Sequence, residues 1–138
     1  MNWLLIGASN VAHEWIVPAI RAIGDEVISI VSGHLERAQD FAHRHDIANF
    51  STDLNQALSH EEIDAVYISS TNSLHFEHAI AALKAKKHVM CEKPMALSIT
   101  DAKEMIFQAE VNQVVLGVNY HLRNSAVIRK MRELIVSD

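Results

Sequence analysis

Several residue types are scarce in this chain of 138 residues, and each scarcity excludes a class of protein. The single cysteine, Cys91, cannot form an internal disulfide, which favours a reducing compartment. With two prolines and four glycines, the chain is neither collagen-like nor a low-complexity linker. No apolar run approaches the roughly 20 residues of a membrane-spanning helix, and no basic stretch of a signal peptide opens the chain. We therefore expect a cytoplasmic protein that does not enter the membrane.

Positive charge is also in short supply. Twelve Lys and Arg residues face 17 Asp and Glu residues, which gives a net charge of −5 and argues against nucleic acid as the main partner. The hydrophobic content of 49% and the charged content of 21% are those of an ordinary globular protein and exclude a disordered chain. The length favours one domain, which can bury roughly two thirds of its unfolded surface.

The apolar residues alternate between short continuous runs and longer stretches with helical spacing. The short runs lie near residues 3–6, 27–31, 65–68, 88–91 and 114–118. A short edge strand near residues 49–50 and a short helix over 53–59 complete the pattern. Strands that are buried on both faces and alternate with helices indicate a parallel sheet. With right-handed crossovers, the sequence predicts an α/β fold: a doubly wound, Rossmann-like sheet of six strands.

Residues at the predicted helix ends add detail. Ser73 is expected to cap the helix that follows it, and Ser98 with Asp101 forms a capping box before the next helix. Pro18 lies inside the first helix, removes the hydrogen bond to the Glu14 carbonyl and is expected to bend the helix.

The chain is expected to divide after its sixth strand. Residues 1–119 are predicted to form the sheet domain. Residues 120–138 are predicted to form a loop and an amphipathic helix that lead toward a second, missing domain.

The first predicted strand runs into a glycine turn and a helix start, over residues 7–12. A dinucleotide-binding turn needs one glycine for the tight turn, a second for close approach of a pyrophosphate, and Gly or Ala for packing. Gly7 and Ala12 fill the first and third places, and Ser9 takes the second, where its hydroxyl can donate to a phosphate oxygen. A plain strand–helix turn is the alternative interpretation. The candidate cofactor-binding residues here are Gly7, Ala8, Ser9, Asn10, Val11 and Ala12.

The second strand ends without the carboxylate that usually binds the ribose diol of NAD. Ser32 and Gly33 stand there instead, with Arg37 one helical turn later. A serine hydroxyl and a guanidinium can hold a 2′-phosphate, so we predict that NADP is preferred, with NAD also possible. The alternative is a solvated serine and a surface arginine.

The fourth strand also ends in small polar residues. Ser70, Thr71, Asn72 and His75 can hydrogen-bond the phosphates and ribose of a cofactor. A loop that only caps a helix explains the same residues equally well.

The fifth strand ends at Cys91-Glu92-Lys93-Pro94. The Lys93 ammonium can polarise a carbonyl and carry a proton beside it. Pro94 fixes the backbone after the lysine, and we expect a cis bond there. An exposed strand exit is the alternative interpretation. The histidine pairs at 43 and 45 and at 75 and 78 have no third ligand at a suitable spacing, so no metal site is predicted.

Together these stretches resemble the glucose–fructose oxidoreductase / inositol dehydrogenase / MocA (Gfo/Idh/MocA) family. The resemblance rests on residues 7–12 and 71–75 and, most specifically, on residues 87–96 with their Glu-Lys-Pro core. It implies an NAD(P)-binding domain in which Lys93 supports hydride transfer at a sugar-like carbonyl or alcohol and Glu92 lies near the nicotinamide ribose. It also assigns cofactor contacts to the loops after strands four and six, the latter with Asn119, His121 and Arg123.

Two departures from the family pattern stand out. Thr71 replaces the usual proline before Asn72, and family members run to more than twice this length. Their C-terminal α+β domain, absent here, supplies the catalytic histidine and most of the substrate pocket. The sequence therefore predicts an NADP-dependent oxidoreductase represented by its cofactor-binding half, with a sugar-like substrate in a full-length form. The alternative is a non-catalytic NAD(P)-binding module, and in either case we expect a homo-oligomer because of the exposed apolar surface.

Overall fold

A computed structural model describes residues 1–136, leaving aside the side chains of residues 123 and 124. Its strands are β1 (Asn2–Ile6), β2 (Glu26–Val31), β3 (Asn49–Ser51), β4 (Ala65–Ile68), β5 (His88–Glu92) and β6 (Leu116–Asn119). Its α-helices are α1 (Val17–Ala22), α2 (Leu35–Arg44), α3 (Leu54–Leu58), α4 (His75–Lys84), α5 (Ile99–Asn112) and α6 (Ala126–Val136). A π-helical segment (Ala12–Ile16) precedes α1, and 3₁₀ turns (Asn72–Leu74 and His121–Asn124) precede α4 and α6.

The six strands form one parallel sheet in the order β3-β2-β1-β4-β5-β6. The chain therefore winds outward from β1 in one direction and, after β3, crosses back to β4 and winds outward in the other. This is the doubly wound, Rossmann-like topology, and it confirms the fold predicted from the sequence.

Two apolar layers cover the sheet. On one face Leu5 and Tyr67 pack with α1 and α2 residues such as Ile20 and Phe41. The side chains on the other face pack with α3, α4 and α5, and fully buried examples are Val66, Leu83 and Met105. Because β1 and β4 are buried on both faces, they read as continuous apolar runs in the sequence.

Local signals at the helix ends were correct in one case and wrong in another. The Ser98 side chain accepts a hydrogen bond from the Asp101 amide at 3.0 Å, which confirms this predicted cap. The predicted cap at Ser73 is wrong, because the 3₁₀ turn Asn72–Leu74 lies there and α4 starts at His75 without a side-chain cap.

The first helix accommodates Pro18 by a change of helix type. The Val17 amide bonds the Ala12 carbonyl, five residues back, and Pro18 then occupies the first turn of α1. The helical backbone runs without a break from the π segment into α1, so Pro18 lacks the N–H that would continue the hydrogen-bond ladder at this point. The wider π turns are thus the local adjustment that the proline demands.

Within residues 1–136, no helix combines the length and apolar character that crossing a membrane requires.

Candidate functional site

The strand register brings the ends of five strands into line at one edge of the sheet. The aligned residues are Val31, Ile6, Ile68, Cys91 and Val118. The next residue of each strand therefore stands in a second line, which we name the exit row: Ser32, Gly7, Ser69, Glu92 and Asn119. In open α/β sheets this carboxyl edge is where ligands bind, at the point where the strand order reverses. That point lies between β1 and β4, beside Gly7 and Ser69.

Gly7 occupies the most crowded position of the exit row. Its φ is +110°, a conformation that side-chain-bearing residues rarely adopt. A Cβ at Gly7 would lie 2.7 Å from the Ser69 carbonyl carbon and 2.7 Å from the Ser70 nitrogen. The chain leaving β1 therefore presses directly on the chain leaving β4, and only glycine fits between them.

A chain of hydroxyl groups joins the same two strand exits. The Ser9 hydroxyl donates to Ser69 Oγ at 2.8 Å, and the Ser69 hydroxyl donates to the Gly7 carbonyl at 3.2 Å. Ser9 Oγ also accepts from the Ala12 amide at 3.1 Å, so it caps the first helical turn. The serine in place of the second glycine thus fixes the turn, and its single hydroxyl proton is given to Ser69 in place of the predicted phosphate oxygen.

A cavity of about 500 Å³ opens beside this turn. Eight of the predicted cofactor-binding residues line it: Gly7, Ala8, Ser9, Ser32, Gly33, Arg37, Ser70 and Thr71. No Asp or Glu is among the lining residues of the described chain, and Arg37 supplies a fixed positive charge. The cavity is therefore suited to an anionic ligand such as a phosphate ester.

Sequence reasoning missed other lining residues, among them Thr52, Ser69 and His78. Ser69 could have been found as the first residue after β4, whereas nothing in the local sequence marks Thr52 or His78. His78 Nδ1 lies 2.9 Å from Ser70 Oγ, and burial lowers the pKa of this ring below its ordinary value.

The two residues predicted to select NADP lie on the β2 wall of the cavity. Ser32 is buried, and its amide donates to the Ser51 carbonyl of β3. Arg37 is exposed at the start of α2 and donates to the Ala8 carbonyl at 3.4 Å, so its guanidinium lies over the glycine turn.

His75 lies behind the cavity lining and is 1% exposed. Its Nδ1 is 2.7 Å from the Pro94 carbonyl oxygen and its Nε2 is 3.1 Å from the Ser70 carbonyl oxygen. Both ring nitrogens thus face the backbone, which points to a positioning role for a residue predicted to contact the cofactor. The ring joins the loop after β4 to the loop after β5.

Glu92 is the centre of a buried polar network at the other end of the exit row. Its Oε1 accepts from Tyr67 Oη at 2.7 Å and from Asn119 Nδ2 at 2.6 Å, and its Oε2 accepts from the Lys93 amide at 3.3 Å. Burial, followed by the hydrogen bond to Glu92, raises the pKa of Tyr67 well above its ordinary value, so the phenol keeps its proton and donates. Sequence reasoning missed Tyr67, which reads as an ordinary residue of a buried strand.

Lys93 is the next residue after Glu92, and its side chain is exposed. The peptide bond between Lys93 and Pro94 is cis, as predicted. Neighbouring Cys91 is buried, and burial raises the pKa of its thiol to about 12, so the thiol is not a nucleophile at neutral pH.

The remaining predicted residues stand apart from the cavity lining. Asn10 and Val11 are exposed at the helix start, Ala12 is fully buried, and Asn72 is exposed in the 3₁₀ turn. His121 is exposed, and the side chain of Arg123 lies outside the described residues. Across the described side chains, no three His, Cys, Asp or Glu residues gather as a metal site would require.

Known proteins provide an independent line of comparison. The profile of the GFO_IDH_MocA family, described as "Oxidoreductase family, NAD-binding Rossmann fold", matches residues 1–120. The loop 119–124 and the serine at the end of β2 predict a particular likeness to the 1,5-anhydro-D-fructose reductases. A 1,5-anhydro-D-fructose reductase of Ensifer adhaerens is 47% identical over 134 residues, which are 97% of this chain and 40% of that protein.

Two further relatives point the same way. The scyllo-inositol 2-dehydrogenase (NADP(+)) IolU of Bacillus subtilis is 34% identical over 84% of this chain and 35% of its own length. The crystal structure of KijD10, a 3-ketoreductase from Actinomadura kijaniata in complex with TDP-benzene and NADP, superposes with a TM-score of 0.92 at 26% identity. That superposition covers 99% of this chain and 43% of KijD10.

The chain thus spans less than half the length of these relatives. With 120 of its 138 residues matched by the family profile, and with the glycine turn and the Glu-Lys-Pro segment on one edge of a doubly wound sheet, the chain belongs to the Gfo/Idh/MocA oxidoreductase family and carries its NAD-binding Rossmann fold.

Proposed function

We propose that this chain is the cofactor-binding part of an NADP-dependent oxidoreductase that acts on a sugar-derived carbonyl or alcohol. The observation that carries the proposal is the exit row, because the strand register sets Ser32, Gly7 and Ser69 on the same sheet edge as Glu92. Lys93 follows Glu92 directly. A dinucleotide crossing this edge has its adenosine at one end, its pyrophosphate in the middle and its reactive ring at the other end.

The residues of the cavity fit the phosphate-bearing part of the cofactor. Its volume of about 500 Å³ lies in the ordinary range for ligand sites. At Gly7 the missing Cβ lets the chain leaving β1 pack against the chain leaving β4 at the edge of the cavity. The first helical turn after Ser9 has N–H groups with no intrahelical partner. The Ser70 and Thr71 hydroxyls add donors along the β4 wall.

The preference for NADP over NAD rests on the β2 wall. A carboxylate there would accept hydrogen bonds from a ribose diol but would repel a 2′-phosphate by about 4 kcal/mol at 4 Å and an effective dielectric near 20. The wall carries Ser32, Gly33 and the Arg37 guanidinium instead. Arg37 donates a planar fork of N–H groups, which matches the oxygens of a phosphate.

The chemistry is assigned to the other end of the exit row. The bound cofactor supplies or accepts a hydride at nicotinamide C4. Lys93 then donates a proton to the substrate oxygen, or polarises it, as the carbonyl is reduced. The buried network of Tyr67, Glu92 and Asn119 holds the backbone on which Lys93 stands.

Calorimetric titration of the chain with NADPH and with NADH tests the cofactor assignment. We expect tighter binding of NADPH, and a loss of about tenfold in NADPH affinity alone for Arg37→Ala, since a charged hydrogen bond contributes roughly 1.5–3 kcal/mol. Arg44→Ala, at the far end of α2, is the matched control and should change neither affinity. Tighter binding of NADH by the wild-type chain would contradict the assignment.

The catalytic assignment is tested in a longer protein that contains this chain and matches its relatives in length. Reduction of 1,5-anhydro-D-fructose is followed by NADPH absorbance. Lys93→Ala should lower kcat by about 10²–10⁴-fold, the usual contribution of general acid catalysis, and leave the Kd for NADPH unchanged. Unchanged turnover in Lys93→Ala would remove the lysine from the mechanism.

A binding module without chemistry is the second candidate. It is favoured by the exposure of Lys93, because a proton-transferring group works best where water is excluded. NADPH binding without ketone reduction, both by this chain and by the longer protein, would establish a binding module.

We also propose that the chain self-associates. Helix α6 exposes Val127, Met131 and Ile135, and α5 exposes Ile99 and Phe107. Apolar surfaces of this kind are usually covered by a partner. Light scattering at increasing concentration should show dimers or larger species, and a monomer at all concentrations would contradict this.

A further inference from the structure

Glu92 presents an unusual charge at the carboxyl edge of the sheet. The side chain is only 8% exposed, and no cation among the described side chains lies within ion-pair distance of its carboxylate. Buried carboxylates normally have a cationic partner. Here the neutral donors Tyr67 and Asn119 take that place, at 2.7 and 2.6 Å from the same oxygen, Oε1.

All the contacts to this carboxylate come from hydrogen-bond donors. A carboxylate only accepts hydrogen bonds, and the Tyr67 hydroxyl, the Asn119 amide and the Lys93 N–H all donate to it. Because Tyr67 and Asn119 both bond Oε1, the second oxygen, Oε2, keeps only the longer bond of 3.3 Å to Lys93. The network therefore stabilises a negative charge without neutralising it.

The position of this charge relates it to the cofactor proposed above. Glu92 lies in the exit row on β5, two strands from Gly7, whereas Ser32 directly follows β2, on the opposite side of β1. A dinucleotide with its 2′-phosphate at Ser32 and its pyrophosphate at Gly7 has its nicotinamide on the side of Glu92. The oxidised nicotinamide ring carries one positive charge and the reduced ring carries none.

We propose that Glu92 makes this site discriminate between the redox states of the cofactor by binding NADP⁺ more tightly than NADPH. The inference rests on the proposed function, because it requires a nicotinamide cofactor in the exit row. At an effective dielectric near 20, two unit charges about 12 Å apart or closer interact strongly enough to change the affinity ratio by tenfold, which is about 1.4 kcal/mol.

Lys93 does not cancel this effect, although it is adjacent in sequence. The lysine is exposed, so water and salt screen its ammonium, whereas the Glu92 carboxylate lies in the interior, where screening is weak. The preference for the oxidised ring is therefore set by the buried Glu92 carboxylate.

The experiment measures Kd for NADP⁺ and for NADPH by calorimetry on the chain and its variants. The isosteric substitution Glu92→Gln removes the charge and keeps an oxygen that accepts from Tyr67 and Asn119. We expect it to shift the affinity ratio about tenfold toward NADPH. Glu62→Gln, at the opposite edge of the sheet, makes the same chemical change and should leave the ratio within about 1.5-fold of wild type.

A second variant separates charge from shape. Tyr67→Phe removes one hydrogen bond but keeps the charge, so its ratio should remain within about twofold of wild type. A shift as large as that of Glu92→Gln would assign the effect to the network and overturn the proposal.

The wild-type chain gives a result that depends on no variant. It should bind NADP⁺ several-fold more tightly than NADPH, and the reverse order would overturn the proposal. If both forms bind and Glu92→Gln leaves their ratio unchanged, the inference fails while the proposed function stands. If neither form binds, the proposed function fails and the inference falls with it.

Discussion

The exit row has two halves that are built in different ways. Around Gly7, Ser9 and Ser69, backbone is packed against backbone, and short hydroxyl side chains fill the remaining space. Around Glu92 and Asn119, long polar side chains are buried and hold one another through hydrogen bonds. The first half is shaped by the absence of side chains, whereas the second depends on their presence.

Under the proposed function, this difference separates the half that binds the phosphates from the half that carries the chemistry. A phosphate group needs only backbone N–H groups, hydroxyls and space, and the first half presents a cavity with no acid in its described lining. A reacting centre needs charge at a defined position, which costs stability unless every donor and acceptor is paired. Substitutions in the two halves should consequently lower stability for different reasons.

The largest effect is expected at Gly7. Gly7→Ala should lower the free energy of unfolding by about 3 kcal/mol or more, because the new Cβ meets backbone atoms at 2.7 Å and φ is +110°. Gly33→Ala is the matched control, since a Cβ there has nothing within 4 Å, and its cost should stay within about 0.5 kcal/mol. Urea unfolding of the cofactor-free chain measures both. An equal loss of unfolding free energy in both variants would show that Gly7 and Gly33 do not differ in packing.

A smaller loss is expected in the second half. Tyr67→Phe should destabilise the chain by about 2 kcal/mol, because Glu92 loses a buried donor that pairs with its charge. Tyr120→Phe removes the same hydroxyl from an exposed ring and should change stability by less than about 0.5 kcal/mol. Thermal unfolding of both variants tests the comparison. A neutral Tyr67→Phe would mean that the network does not stabilise the fold.

The smallest effect is a pH dependence in the first half. The folded-state pKa of His78 is lowered, mainly by burial, so the unfolded chain binds this proton more readily than the folded chain does. The contribution of His78 is complete above its unfolded pKa of about 6.5 and is lost as the pH falls below that value. Urea midpoints at pH 7.5 and 5.5 should therefore show lower stability at pH 5.5.

Two histidine variants test the source of this pH dependence. His78→Gln should reduce the slope, and His121→Gln on the exposed turn after β6 should not. Part of the slope should remain, because the pKa of His45 is also lowered, first by burial and then by the charges of His13, Arg21 and Arg44. An unchanged slope in His78→Gln would assign the whole pH effect elsewhere.

The sequence predicts the fold well because the strands are apolar on both faces and the crossovers follow general rules. The sixth strand shows where this reasoning stops. The apolar run begins at Val114, but Gln113 adopts a left-handed conformation and the Val114 amide bonds the Ala109 carbonyl, so Val114 closes helix α5. The strand then starts at Leu116. Hydropathy alone does not distinguish a helix cap from the start of a strand.

The candidate site was predictable in part for a similar reason. Residues at the end of a strand or directly after it, such as Glu92, Ser32 and Gly7, can be found once the strands are known. Tyr67 and His78 cannot, because their roles depend on which strand pairs with which and on how a helix lies over a loop. The hydrogen bond between Tyr67 and Glu92 joins residues 25 positions apart in the chain, and it exists only because β4 and β5 pair in this register.

His75 connects the two halves, and the proton content of its ring carries a consequence. The ring nitrogens face two carbonyl oxygens, one in the loop after β4 and one beside Lys93. A neutral imidazole has a single N–H and donates to one of these carbonyls, whereas the imidazolium donates to both. Which ring nitrogen carries the proton therefore decides which of the two loops receives the hydrogen bond, so the position of one buried proton links the loop that lines the cavity to the peptide beside Lys93.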